Sequence, residues 1–170
     1  TLYDAYVQRG LVDSQNHPTL PLTIYTYSRD AQFQKAWDEI TLSSRGLILD
    51  AEGNLVAKCF PKFFNMEEHT TEQIPTQSFA VYAKMDGSLG IVFHYNGEWR
   101  VATKGSFTSE QAVKAAEILQ TYSVSELNTA YTYLFEILYK ENKIVCDYGD
   151  TERLVLLAAY DNTCLLYTSD

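Results

Sequence analysis

The sequence has little cysteine, little histidine and a shortage of positive charge, and each shortage excludes a class of protein. Its three cysteines are odd in number and far apart, which argues against a disulfide framework or a zinc site and favours reduced thiols in a cytoplasm. They are Cys59, Cys146 and Cys164. The three histidines are equally scattered, and none has a second metal ligand at helical spacing. We therefore expect no metal site built on cysteine or histidine.

Lysine and arginine together number 13 against 22 aspartates and glutamates, so the net charge is −9. Because proteins that grip the nucleic-acid backbone usually present a basic face, this balance argues against tight binding of a duplex. A nucleotide pocket remains compatible, since it needs only a few placed cations. No apolar run approaches a membrane span and no signal peptide is recognisable, so we expect no membrane contact and a cytoplasmic location. The chain begins at Thr1 without a methionine, and we expect native N-terminal residues to be missing.

The length of 170 residues and the hydrophobic content of 46% are typical of one globular domain with a real core. Short apolar segments separated by turn residues predict strands, with Asn96-Gly97 as a strong hairpin signal. The expected strands are 22–27, 47–49, 54–59, 79–83, 91–95, 99–103, 131–139, 143–147 and 154–160. The expected helices are 2–10, 31–40 with Phe33, Ala36 and Trp37 buried, and a helix from a capping box at 108–111 to about 122. The pattern predicts an α+β fold of antiparallel β-sheets with flanking helices, and a polar loop after the first helix.

The central stretch of the chain runs from Val81 to Gly90 and contains Lys84, Asp86 and Gly87. We expect a strand that delivers Lys84 to its end, where desolvation would leave some of the amine uncharged and nucleophilic. A carboxylate two residues later and a glycine that leaves room for a ligand suit an attack on phosphorus. The alternative is a β-hairpin with a surface lysine and an Asp-Gly turn.

Five short motifs occur in order along the chain. They are Arg45-Gly46, Lys62-Phe63-Phe64-Asn65, Lys84-Met85-Asp86-Gly87-Ser88, Lys104-Gly105-Ser106 and Phe135-Glu136. Together they resemble the nucleotidyltransferase domain of ATP-dependent RNA ligases of the T-even bacteriophage type, over about residues 22–161. The resemblance implies an ATP-grasp-like adenylation domain over residues 1–163, the use of ATP and Mg²⁺, and action on RNA ends, with cleaved tRNA as one candidate. It also adds an infected bacterial host as a possible cellular setting.

The resemblance implies a role for each matched residue. Lys84 would be the catalytic nucleophile that forms a lysyl-adenylate, and Asp86 and Glu136 would hold Mg²⁺ through water. The implied ATP-binding residues are Arg45, Lys62, Phe64, Asp86, Gly87, Lys104 and Glu136. The residues alone leave alternatives open: a surface salt bridge for Arg45, a solvent-facing Glu136, a turn-forming Asp86, and core packing for the two phenylalanines, which we expect to fix Lys62 against the core.

The sequence also departs from this family at its C-terminal end. A later Glu-Gly strand, a final Lys-x-Lys strand and an RNA-specificity domain have no counterpart, and residues 164–170 look like a translated adaptor remnant. We therefore expect a domain that is incomplete at its C-terminus, a tail of doubtful origin at 164–170, and little or no self-adenylation by this chain alone. The remaining alternatives are a non-catalytic nucleotide-binding module, a DNA ligase or capping-type nucleotidyltransferase, and a structural α+β domain.

Overall fold

The computed structural model describes residues 1–74, 76–78, 80–82, 84–142 and 151–163. Within these residues the chain forms two four-stranded antiparallel sheets and four α-helices, which confirms the predicted α+β class. The first sheet has the order β1-β2-β3-β4, formed by Val12–Asn16, Leu22–Tyr27, Arg45–Asp50 and Leu55–Ala57. The second has the order β6-β5-β7-β8, formed by Glu98–Ala102, Ser88–Tyr95, Tyr131–Leu138 and Arg153–Asp161. The helices are α1 Leu2–Gln8, α2 Arg29–Gln34, α3 Glu39–Ser43 and α4 Glu110–Leu119.

The main core lies between the two sheets because alternate residues of each strand point toward the other sheet. Ile24 and Ile48 of the first sheet pack in this layer with Ile91, Phe93 and Leu134 of the second. The outer face of the first sheet packs against α1, and the outer face of the second packs against α4. The order of layers is therefore helix, sheet, sheet, helix, and β5 lies at the centre of the second sheet between β6 and β7.

The β5–β6 hairpin turns at the predicted Asn96-Gly97 pair, where both residues have positive φ, 52° and 79°. This is the backbone that a two-residue turn between twisted antiparallel strands requires, and asparagine and glycine adopt it at low cost. The hairpin fixes where β6 ends, and thus the position of Lys104 two residues later.

Predictions of secondary structure are wrong at three places: residues 80–82, residues 12–16 and residues 31–40. Residues 80–82 are not a strand, and the side chains of Val81 and Tyr82 are 83% and 86% exposed. Their β-propensity does not suffice, because strand preference reflects packing against neighbours and these residues bury little. The strand β5 starts only at Ser88. Residues 79 and 83 lie outside the described residues, as does the expected strand 143–147. Residues 12–16, expected as the start of a polar loop, form the edge strand β1.

The expected helix over 31–40 is broken into two. α2 ends at Gln34, and its C-cap residue Lys35 adopts a left-handed conformation with φ of 52°. α3 then starts after Asp38, whose carboxylate accepts hydrogen bonds from the backbone N–H groups of Ile40 and Thr41. As a result Phe33 is 90% exposed rather than buried. Smaller differences are a cap at Ser109 instead of 108 and a β4 strand that spans only 55–57.

Candidate active site

Three strand ends meet at one end of the second sheet. β5 begins at Ser88, and its antiparallel neighbours β6 and β7 end at Ala102 and Leu138, so these termini lie side by side. The predicted nucleophile loop precedes β5, Lys104 follows β6, and Glu136 lies near the end of β7. The topology therefore brings segments that are distant in sequence to the same edge.

The start of β3 in the first sheet reaches this edge as well. Gly46 has a φ of +78°, and a Cβ atom built on it would lie 3.3 Å from the Lys104 carbonyl oxygen and would collide with Ile91. Glycine is thus required for the close approach of the two sheets. Burial raises the pKa of the Cys59 thiol, and the charges of Arg45 and Lys104 oppose that rise, so both cations lie near this thiol.

Glu136 faces the space between the sheets rather than solvent. It pairs with Leu89 in the register of β5 and β7, and it shares its face of β7 with the fully buried Leu134. Its Oε1 accepts a hydrogen bond of 2.9 Å from the backbone N–H of Gly87. A Cβ atom on Gly87 would lie 3.2 Å from the Glu136 Cγ and would collide with the Ile137 carbonyl oxygen. The solvent-facing alternative for Glu136 is therefore wrong.

The charges around Glu136 identify its neighbours. Burial raises the pKa of this carboxyl group above its ordinary value; the hydrogen bond from Gly87 and the charge of Lys84 oppose the rise, and the charge of Asp86 adds to it. Lys84 and Asp86 are thus both within electrostatic reach of Glu136. We call these four residues, Lys84, Asp86, Gly87 and Glu136, the lysine–glutamate corner. Among the described residues it combines two carboxylates with one ammonium group, a set of charges that suits a further cation.

Lys84 itself is exposed, and the chain just before it, residues 80–82, is exposed too. The expected burial at the end of an apolar strand is therefore wrong, because no such strand forms over 80–82. The amine is open to an incoming ligand, and its described surroundings do not desolvate it. A bound nucleotide would have to provide that desolvation.

A second group combines lysines with aromatic rings. The Lys104 Nζ lies 4.7 Å from the centre of the Tyr27 ring and 3.4 Å from its hydroxyl. The Tyr27 and Trp37 rings meet edge to face at 5.2 Å, and Trp37 meets Phe64 in the same way at 5.5 Å. The Lys62 Nζ lies 4.6 Å from the Phe64 ring centre and 5.7 Å from that of Trp37. We call these five residues, Tyr27, Trp37, Lys62, Phe64 and Lys104, the cation–aromatic array.

Arg45 has no carboxylate partner within the described part of the chain. Its Nη1 donates to the Cys59 Sγ and the Phe60 carbonyl oxygen, each at 3.4 Å, and its guanidinium carbon lies 5.2 Å from the centre of the Phe63 ring. The salt-bridge alternative for Arg45 is therefore not found there. Phe63 is 65% exposed, so it does not fix the segment against the core as expected. A backbone hydrogen bond of 2.8 Å from Lys62 to the Leu42 carbonyl oxygen does so instead.

Sequence reasoning missed Tyr27 and Trp37 as members of this region. Tyr27 was only the last residue of a strand, and Trp37 belonged to the apolar stripe of a helix that is in fact interrupted. The contact of Tyr27 with Lys104 joins residues 77 positions apart, for which no local pattern exists.

The described residues contain no group of three or more His, Cys, Asp or Glu side chains arranged to hold a metal ion. A directly coordinated protein cage is therefore not present in that part of the chain. The two carboxylates of the lysine–glutamate corner fit a hydrated Mg²⁺ bound through water, since Mg²⁺ keeps several waters and uses few carboxylates. No helix in the same residues is long and apolar enough to span a membrane.

Comparison with known proteins adds an independent result. A family model described as RNA ligase matches residues 43–170. The chain is 28% identical over 174 residues to the "Putative bifunctional polynucleotide kinase/RNA ligase" of Autographa californica nuclear polyhedrosis virus, which covers 86% of this chain and 24% of the viral protein. It is 29% identical over 128 residues to the "Putative RNA ligase" of Thermovibrio ammonificans, which covers 69% of this chain and 33% of that protein. The chain thus spans about a quarter of the length of the first relative and about a third of the second. Because the family model matches well over half of it, the chain belongs to the T4-type RNA ligase family.

Proposed function

We propose that this chain is the adenylation domain of an ATP-dependent RNA ligase and that Lys84 is the residue that becomes adenylated. The observation that carries the proposal is the hydrogen bond from Gly87 to Glu136, which ties the loop of Lys84 to β7 in a member of the RNA ligase family. A lysine, a neighbouring aspartate and a partly buried glutamate are thereby held together at an open edge of the sheets.

The proposed reaction has three steps. The Lys84 amine, having lost a proton, attacks the α-phosphorus of ATP; an N–P bond forms, and the bond to pyrophosphate breaks. The 5′-phosphate of an RNA end then attacks the same phosphorus, AMP moves to the RNA, and the lysine leaves with a proton. Finally the 3′-hydroxyl of a second RNA end attacks the activated phosphate, AMP leaves, and the strand is sealed as in RNA repair.

Glu136 has one task of its own in this scheme and shares a second with Asp86. Glu136 uses Oε1 for the Gly87 N–H, so Oε2 is the oxygen that would accept a hydrogen bond from a ribose hydroxyl. Asp86 and Glu136 would together hold the water shell of Mg²⁺ near the phosphates. When bound, the ion would stabilise the charge that develops on the phosphate oxygens. Gly87 keeps the backbone close enough for both contacts.

Three cations are available for the triphosphate. Arg45, Lys62 and Lys104 have no carboxylate partner among the described residues and are held over aromatic rings or against carbonyl oxygens instead. Arginine suits a forked grip on phosphate oxygens, whereas lysine acts as a point charge. Phe64 would serve ATP binding by supporting the Lys62 ammonium group 4.6 Å from its ring centre.

The test is covalent labelling of the full-length protein with α-labelled ATP and Mg²⁺. We expect label that survives alkali and is released by acid, as a phosphoramidate requires. Lys84→Arg should abolish it, because a guanidinium group stays charged and cannot attack phosphorus. The matched control is Lys114→Arg on α4, where arginine can keep the ion pair with Glu152. Labelling of Lys84→Arg at the level of the parent protein would refute the assignment, and efficient labelling by GTP would indicate a capping-type enzyme.

A further inference from the structure

A hollow of about 680 Å³ opens beside the cation–aromatic array. The rings of Trp37, Phe64 and His69 line it, and Phe64 meets the His69 ring edge to face at 6.0 Å. This volume lies in the range of small-molecule sites, and a wall of several aromatic rings is the usual platform for a stacked base. The proposed ATP chemistry does not account for most of its surface.

The charges around the hollow determine which part of a ligand it suits. The lining holds two lysines, Lys35 and Lys62, and two glutamates, Glu67 and Glu68, so its net charge is zero although no ion pair joins them in the described structure. A phosphate group would gain little there, and the whole chain carries −9. The amide of Gln73 is also in the wall and can serve the polar edge of a base. The hollow therefore suits an uncharged aromatic group.

The hollow adjoins the proposed ATP site without coinciding with it. Lys62 and Phe64 belong to both, whereas Lys84, Lys104 and Glu136 do not line the hollow. The chain of ring contacts runs from Tyr27 beside Lys104 outward to His69. A second ligand in the hollow would thus lie next to the nucleotide.

From these observations we infer that the hollow binds a nucleobase of the single-stranded RNA substrate. This inference rests on the proposed ligase function, because it assigns the second substrate of that reaction. Stacking of the base on these rings fixes the RNA strand at the hollow. Because the contact is a stacked base, binding depends only weakly on salt compared with proteins that track the phosphate backbone.

The chain carries its own reporter for this inference. It has two tryptophans, Trp37 in the hollow and Trp99, which packs against His94 and Tyr133 at 5.3 and 5.9 Å. In the full-length protein, a short 5′-phosphorylated single-stranded RNA should quench a component of the tryptophan emission that persists in the Trp99→Phe variant. In the matched Trp37→Phe variant, that component of the quenching should be lost.

Two further arms test base recognition and avoid variants that could unfold. An abasic chain with the same phosphates should bind about tenfold more weakly than the RNA. His69→Ala changes an exposed side chain, so the variant is expected to fold. We expect His69→Ala to weaken RNA binding severalfold and to lower RNA adenylation relative to self-adenylation.

Several outcomes would overturn the inference: RNA that binds without changing Trp37 emission, equal binding of abasic and normal chains, displacement of the RNA by ATP from the hollow, or no binding of the RNA at all. The proposed function fails on a different result, namely absence of label on Lys84 in the unsubstituted protein. The labelling and the RNA-binding measurements are independent, so the two failures are distinguishable.

Discussion

The lysine–glutamate corner and the cation–aromatic array hold their charged groups in opposite ways. In the corner, a partly buried carboxylate accepts a backbone N–H and lies within reach of one ammonium group and a second carboxylate. In the array, the ammonium groups of Lys62 and Lys104 lie over rings. An ion pair would neutralise a lysine, whereas a ring orients the charge and leaves it available to a phosphate.

The difference indicates a division of work at one end of the molecule. Mutations in the corner should remove chemistry, because in the proposed reaction these groups lie nearest the reacting phosphorus. Mutations in the array should weaken the binding of ATP and leave the chemical step largely intact. The following predictions test this division, from the largest expected effect to the smallest.

Replacing Glu136 by alanine should have the largest effect. We expect self-adenylation of the full-length protein to fall on the order of 100-fold or more, because preorganised groups at a reacting phosphate contribute this much. The drop should be in the rate at saturating ATP, measured by single-turnover labelling. A drop confined to the apparent affinity for ATP would place Glu136 with the array instead.

Gly87→Ala should reduce labelling and stability together. The added methyl group collides with the Ile137 carbonyl oxygen and crowds Glu136, so we expect a loss of about 1–3 kcal/mol in the free energy of unfolding. The matched control is Gly97→Ala in the β5–β6 turn, where no atom lies within 4 Å but φ is +79°. That variant should lose about 1 kcal/mol through backbone strain and keep its labelling rate. Equal loss of labelling in both variants would mean that stability alone explains the effect.

Lys104→Met should raise the KM for ATP about tenfold with little change in kcat, since an ammonium group that binds phosphate is lost while the stem of the side chain is kept.

Tyr27→Phe should have a smaller effect on the KM for ATP, about twofold, because the ring under the Lys104 ammonium group remains and only the hydroxyl 3.4 Å from Nζ is removed. Steady-state kinetics over a range of ATP concentrations give both values. A large fall in kcat for the Lys104 or the Tyr27 variant would contradict the claim that the array binds ATP without taking part in the chemical step.

The smallest effect concerns stability and pH. Glu136 has a raised pKa in the folded protein, so its ionisation at neutral pH destabilises the fold. Glu136→Gln removes that cost, and we expect the free energy of unfolding at pH 7 to rise. The gain should shrink as pH falls through the raised pKa. It should vanish below the ordinary value of 4.5, where Glu136 is protonated in both the folded and the unfolded protein. Urea unfolding at several pH values measures this, and a pH-independent difference would contradict the assigned cause.

Much of the framework could be read from local sequence. The strand over 22–27, the Asn96-Gly97 turn and the apolar strands around β7 follow from alternation and turn chemistry, which act over a few residues. Arg45 was expected just before a strand, Lys104 just after one and Glu136 within one. Arg45 begins β3, Lys104 lies two residues after β6, and Glu136 lies within β7. These features depend on residues that are neighbours along the chain, so the local sequence pattern predicts them.

Other features depend on contacts that no local pattern encodes. The break at Lys35 depends on the cap that Asp38 provides to α3, and the same residues read as one helix by periodicity. The exposed residues 80–82 have strand-forming side chains, but they pair with no β-strand in the described part of the structure. Trp37 joins Tyr27 to Phe64 only after two loops have folded onto each other.

Lys62, Lys84 and Lys104 each carry an amine in the proposed ATP site, and the most direct test is to find which of them becomes adenylated. The full-length protein, incubated with ATP and Mg²⁺ and then digested, should give a single adenylated peptide, with AMP on Lys84 by tandem mass spectrometry. AMP on Lys62 or Lys104, with residue 84 unmodified, would contradict the assignment of Lys84 as the nucleophile.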